Sequence, residues 1–196
     1  MSDLDLVLTR HLAAAPDRVW RCWTEPDLIK QWFAPKPVIT REVQIDLRPG
    51  GRFFSLMVLP DGMEFPNEGC ILAVEPGRRL VFTECLTAGF RPAASPMILM
   101  TAEISLEPDG AGTLYTARVL HGDAATRDKH AEMGFFDGWG TATTQLEAVA
   151  AGLFDLMWLE CCPLLAPLRS LPSYPALHAQ VRERASKMTI TVPAPT

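Results

Sequence analysis

The sequence predicts an α+β fold: an antiparallel β-sheet covered on one face by a long α-helix, with a helical extension after it. Three observations carry this. Six short β-rich runs, 38–47, 52–59, 68–74, 80–86, 97–106 and 113–121, follow one another with Pro- or Gly-containing separators between them. Two short helical segments, each with Pro in its first turn, come before the runs. After them Phe135, Trp139, Ala142, Leu146, Val149 and Leu153 recur at alternating spacings of four and three, which is one face of an α-helix.

In chain order, Leu4, Leu6, Leu8 and Leu12 share one parity and Asp5, Thr9 and His11 the other, which is strand periodicity. Ala15-Pro16-Asp17 opens the first helix, because Pro is pre-set for the first turn and an acid is favoured near the positive helix end. Val19, Trp20 and Trp23 lie on one of its faces. Thr24-Glu25-Pro26-Asp27 breaks it and starts a second, bearing Leu28, Ile29, Trp32 and Phe33 before Pro35 and Pro37. The separators of the six runs are Pro49-Gly50-Gly51, Pro60-Asp61-Gly62, Glu75-Pro76-Gly77, the irregular 87–96 and Pro108-Asp109-Gly110. Pro fixes φ and Gly supplies φ > 0, so consecutive runs turn back on each other as a meander, to which the first strand can add. From 124 to 153 the pattern predicts one continuous amphipathic helix lying on the sheet.

Composition limits the function. The 196 residues are 48% apolar, which allows a sizeable core, and the net charge is −5. Basic residues are not clustered, so a nucleic-acid or anionic membrane surface is excluded as an expectation. The acidic start, Ser2-Asp3-Leu4-Asp5, is not a secretory signal and predicts a cytoplasmic protein. Five cysteines, Cys22, Cys70, Cys85, Cys161 and Cys162, form no C-x-x-C pair. They predict reduced packing residues rather than a disulfide framework or zinc site. Residues 148–168 carry only Asp155 and Glu160 as charges, but these acids and the breaks at Pro163 and Pro167 argue against a membrane span.

Residue matches point to a family. Pro16-Asp17-Arg18-Val19-Trp20, Trp23-Thr24-Glu25-Pro26 and Gln31-Trp32-Phe33-Ala34-Pro35 are followed by Asp46-Leu47-Arg48-Pro49-Gly50-Gly51-Arg52-Phe53. Gly69-Cys70-Ile71-Leu72-Ala73-Val74-Glu75-Pro76, Arg79-Leu80-Val81-Phe82 and Gly138-Trp139 come after. In this order they resemble the START-like (SRPBCC, birch-pollen-allergen-like) superfamily, in the branch named for the activator of the ninety-kilodalton heat-shock-protein ATPase. The resemblance implies a helix-grip fold, a curved antiparallel sheet wrapped around a long C-terminal helix, over residues 1–153. It also implies a cavity between sheet and helix that holds a small hydrophobic or aromatic molecule without metal or organic cofactor. Polyketide cyclases share the architecture, so a polyketide-cyclase-like or hydrolase-like enzyme is one alternative. A protein-interaction or co-chaperone-like module is another, although the named co-chaperone activity belongs to larger proteins and is not carried over. Residues 154–196 depart from the family pattern as a Pro-containing helical extension, expected to dock on its own domain or to make a homodimer.

For a lipophilic pocket the ligand-binding candidates are Trp32, Phe33, Phe54, Phe65, Phe82, Met100, Met133, Phe136 and Trp139, bulky apolar walls of the kind such a site needs. The plain alternative for each is core filling. His130 and Glu132 are the candidate proton-handling groups, Glu132 because it falls three residues before Phe135 and so near the apolar stripe. The alternative for both is a solvated first turn of helix. His121, Asp123, Asp128 and His130 lack the i, i+4 spacing of a helical metal site. No G-x-S-x-G elbow is present, and Gly50-Gly51 joins two strands instead of leading into a phosphate-binding helix.

Overall fold

The computed structural model describes residues 3–94, 96, 98–151 and 166–187. The chain divides into two compact units, Met1–Ala151 and Gly152–Thr196. In the first unit the elements are β1 (Asp5–Leu12), α1 (Pro16–Thr24), α2 (Pro26–Trp32), β2 (Ile39–Ile45), β3 (Arg52–Val58), β4 (Glu64–Glu75) and β5 (Arg79–Thr83). Then come β6 (Leu86–Thr87), β7 (Arg91–Pro92), β8 (Met100–Asp109), β9 (Gly112–His121), α3 (Ala124–Glu132) and α4 (Phe135–Ala150). The second unit contains α5 (Ala166–Arg169) and α6 (Tyr174–Lys187). The predicted docking of the extension, and the apolar stretch before Ala166, fall largely outside the described residues. Among those residues no helix is long and apolar enough to cross a membrane.

Seven strands form one antiparallel sheet in the order β1-β9-β8-β5-β4-β3-β2, an open α+β architecture of the helix-grip kind. The meander is therefore present, and β1 joins its far edge by pairing with β9 from Asp5↔Leu120 to Leu12↔Thr113. Period-two burial fixes one inner face. Met100, Ala102, Ile104 and Leu106 of β8 are buried, and so are Thr113, Tyr115, Ala117, Val119 and His121 of β9. The irregular 87–96 segment holds a small ribbon, β6 paired with β7. Its Phe90 ring lies over Gly50, where a Cβ would come within 2.8 Å of it and where φ is +79°. Glycine is required there on both counts. β4 begins earlier than its periodicity predicts, at Glu64, and contains Pro66. Its partner β5 reaches only as far as Cys70↔Thr83, so the early part of β4 is an edge, where Pro is tolerated.

The single helix predicted over 124–153 is two helices. α3 starts on Asp123, whose carboxylate accepts the Thr126 N–H at 2.8 Å. It ends at Glu132, and Gly134, at φ +88°, precedes α4. A left-handed residue cannot continue an α-helix, and Gly adopts that conformation without steric cost. The apolar stripe holds within α4, where Phe135, Ala142 and Leu146 are buried and Trp139 and Val149 pack against the core. Leu153 lies outside the described residues.

Side-chain hydrogen bonds position α4. Its Gln145 donates to the carbonyls of Trp32 and Ala34 at 2.7 and 2.8 Å and accepts the Lys36 N–H at 3.1 Å. These bonds satisfy groups freed at the C-terminal end of α2. Arg10 of β1 donates to Thr144, and the Ala13 N–H to Glu147. α1 ends at Glu25, whose extended backbone is what a following Pro imposes. The Trp32 indole N–H then donates to the Cys22 carbonyl at 2.8 Å, which ties α2 to α1.

Candidate functional site

A cavity of about 250 Å³ lies between the sheet and the α3–α4 break. Its walls begin with α1 and α2, which contribute Trp23, Trp32 and the following Phe33. β3 adds Phe53, Ser55 and Met57, three residues of one parity. β5 adds Phe82, Met100 opens β8, and Ile98 lies just before it. The helical side supplies His130, Met133, Gly134, Phe135, Gly138, Trp139 and Ala142.

Aromatic rings make up much of the wall and hold one another in edge-to-face contact. Trp23 meets Trp32 at 4.7 Å, Phe33 meets Phe53 at 5.7 Å, and Phe53 meets Phe82 at 4.7 Å between ring centroids. Such contacts add to the burial energy of each ring and fix its orientation. The cavity reaches the surface beside Met133, which lines it and is 53% exposed.

Polar groups on this wall are few. Glu84 follows β5 and keeps the inward parity of Phe82. Burial pushes its carboxyl up to about 7, partly offset by a hydrogen bond from the Ile98 backbone. His130 is held down to about 4 by burial and then by the neighbouring His121, so its imidazole is neutral at pH 7. His130 Nδ1 lies 3.0 Å from His121 Nε2, and His121 Nδ1 lies 2.9 Å from the Leu4 carbonyl oxygen. Asn67 donates to Ser55 at 3.4 Å on the same wall. Among the described residues no three His, Cys, Asp or Glu side chains are grouped as metal ligands.

Residues 13–151 match the model of the family described as Activator of Hsp90 ATPase homolog 1-like protein. The chain belongs to that family. Among solved structures, a protein from Nitrosomonas europaea is 46% identical, over 78% of this chain and 97% of its own, with a TM-score of 0.74. A Mycobacterium smegmatis protein is 25% identical, over 74% and 90% of the two chains, with a TM-score of 0.63. An AHSA1-like protein from Aeromonas hydrophila shares the fold at 22% identity, a TM-score of 0.59 and coverage of 77% and 96%. No curated protein matches the chain. For this member of the Activator of Hsp90 ATPase homolog 1-like family, the matched residues end where α4 does and include every cavity residue named above.

Six of the sequence-predicted ligand residues line the cavity: Trp32, Phe33, Phe82, Met100, Met133 and Trp139. Three do not. Phe54 has the opposite parity to Phe53 and lies under the Arg52 guanidinium, 4.3 Å from the ring centroid, beside the Arg52–Glu68 ion pair. Phe65 pairs with Met57 of the wall but lines an adjoining groove with Pro66, Thr87 and Ala93, which shares Asn67, Glu68 and Glu84 with the cavity. Phe136 is 53% exposed because it sits one residue, about 100° of helix, past the inward Phe135. Of the proton-handling candidates, His130 lines the cavity and Glu132 does not. Glu132 is exposed because the break at Gly134 disconnects it from the α4 stripe.

Sequence reasoning also missed residues that are part of this family member's cavity. Trp23 and Phe135 were legible as apolar helix faces but not as cavity wall, and Phe53 only as the end of a family motif. Glu84 carried one usable signal, its position two residues after an inward aromatic at a strand end.

Proposed function

We propose that this protein binds a small hydrophobic or aromatic molecule in the cavity between the sheet and α4. The observation that carries the reading is the cavity itself, about 250 Å³ in volume and walled by Trp23, Trp32, Phe33, Phe53, Phe82 and Trp139. Concave sites with apolar walls and a few converging polar groups are the usual form of small-molecule sites. The family resemblance supports the same reading. Binding would replace weakly held solvent with ring contacts at about 25 cal/mol for each Å² of apolar surface removed from water. The homodimer through the extension is proposed on the apolar content of residues 154–196 alone.

The decisive measurement is native mass spectrometry of protein purified from its own host, combined with thermal shifts against a panel of apolar compounds. A co-purified small molecule, or a rise in melting temperature with one- and two-ring aromatics, is the expected result. Failure of both would sink the proposal.

A second reading, a polyketide-cyclase-like or hydrolase-like enzyme, is favoured by one specific feature. Glu84 and His130 line one cavity, the carboxyl held up to about 7 and the imidazole held neutral. A proton donor and a proton acceptor are then present together near neutral pH, the requirement for general acid–base work. Incubating a co-purified compound with fresh protein and following its mass and spectrum over time separates the readings. A product whose formation is lost in E84Q and H130F supports catalysis, and an unchanged compound supports binding.

A further inference from the structure

One polar group of the cavity is held in a fixed state by hydrogen bonds that begin outside it. The Leu4 carbonyl can only accept, so its 2.9 Å contact places a proton on His121 Nδ1. In the tautomer that this contact selects, His121 Nε2 is an acceptor, and the 3.0 Å contact with His130 is filled by a proton on His130 Nδ1. With Nδ1 donating, His130 Nε2 carries a lone pair, and no described residue donates to it. His130 is 7% exposed and lines the cavity. Its ring is set edge-on between His121 and Phe135, at 5.2 and 5.1 Å. A hydrocarbon that covered this acceptor would strand it in apolar surroundings at a cost, so a ligand that supplies the donor matches the site better than a hydrocarbon does.

We propose that the cavity takes an uncharged aromatic molecule bearing a hydroxyl, whose O–H donates to His130 Nε2 while its rings pack among Phe33, Phe82 and Trp139. The proposal rests on the cavity being a ligand site, as read above. Size sets the class further. The volume of about 250 Å³ lies above the roughly 150 Å³ that holds a benzene ring and below the roughly 300 Å³ lower edge of drug-sized sites. One or two fused rings fit that interval. Glu84 on the same wall disfavours an aromatic carboxylate, because a second acid would face it. His121 acts as a positioning residue, holding the tautomer of His130 without reaching the ligand.

The test uses the full chain and four probes of one shape: naphthalene, 1-naphthol, 1-naphthoate and 1-naphthylmethylammonium, each titrated calorimetrically at pH 7. The expected result is binding of 1-naphthol at least about tenfold tighter than naphthalene, the worth of one well-made hydrogen bond. Both charged probes should bind more weakly than 1-naphthol. In H130F the ratio of 1-naphthol to naphthalene affinity falls to about one.

Because H130F can fail to fold, ¹⁵N spectra of the histidines in the unsubstituted protein give a second readout. His130 Nε2 should show the unprotonated signature, and this should move on adding 1-naphthol but not naphthalene. Equal affinity for naphthalene and 1-naphthol, a preference for the ammonium probe, or a protonated Nε2 overturns the proposal while leaving the ligand-binding reading intact. Binding of none of the four probes overturns both.

Discussion

Glu84 and His130 share a wall but titrate in opposite senses, and the stability of the protein should record it. The Glu84 carboxyl is raised from 4.5 to about 7, so between these values the native state holds a proton that the unfolded chain has lost. Its contribution is complete below pH 4.5 and is lost as pH rises through 7. His130 is lowered from 6.5 to about 4, so between those values the unfolded chain holds the extra proton. That contribution is complete above pH 6.5 and is lost as pH falls through 4. Each amounts to about 1–3 kcal/mol, and between pH 4.5 and 6.5 the two slopes oppose. Relative to the unsubstituted protein, E84Q should lose melting temperature on acidification from pH 6.5 to 4. H130F should lose it as pH is raised from 4.5 to 7. Scanning calorimetry across pH 4–7.5 checks this, and three parallel profiles would contradict the roles assigned here. His130 was legible as a histidine near the helix start. Glu84 was legible only by its shared parity with Phe82, because nothing in Thr83-Glu84-Cys85 shows that Ile98 and the rest of the cavity wall will bury a carboxylate.

Among the elements, α3 and α4 show how a single backbone angle decides where side chains point. Phe135 through Leu146 read correctly as one stripe because α4 is a regular helix over that stretch. Glu132 falls off that stripe, on the solvated side of the two readings open for it, because Gly134, with a left-handed φ of +88°, starts a new helix axis between them. Gly134→Ala should therefore destabilise the protein by about 1–2 kcal/mol in chemical denaturation, since alanine pays for that conformation and gains no contact. A stabilised variant would mean that the two helices can merge. Gln145 tests the other end of the arrangement. Its amide links α4 to the end of α2 through three hydrogen bonds, and Gln145→Ala should cost about 2 kcal/mol by leaving partly buried carbonyls without donors. A loss below a few tenths of a kcal/mol, measured by urea denaturation, would show that water replaces the amide without penalty.

For the whole molecule, the central question is whether the cavity is a working volume or a packing defect. Gly138 sits within α4 on the cavity wall, and a Cβ built there meets no atom within 4 Å. Gly138→Leu should fill part of the space and raise helix propensity by up to about 1 kcal/mol. The expected outcome is an equal or higher melting temperature together with loss of the thermal shift produced by small aromatics. If G138L keeps that shift in full, the compounds bind elsewhere. By itself the sequence determined the order of the sheet strands, the meander, the added first strand, the two Pro-initiated helices and the family, because period-two and period-3.6 patterns and turn residues are local signals. Which of two adjacent phenylalanines, Phe53 or Phe54, faces inward depends on strand register across the sheet. The pairing of His121 with His130 depends on where β9 and α3 meet. The burial of Glu84 depends on segments more than ten residues away along the chain. These were decided only by tertiary structure, because a cavity is made of distances between residues that are remote in sequence.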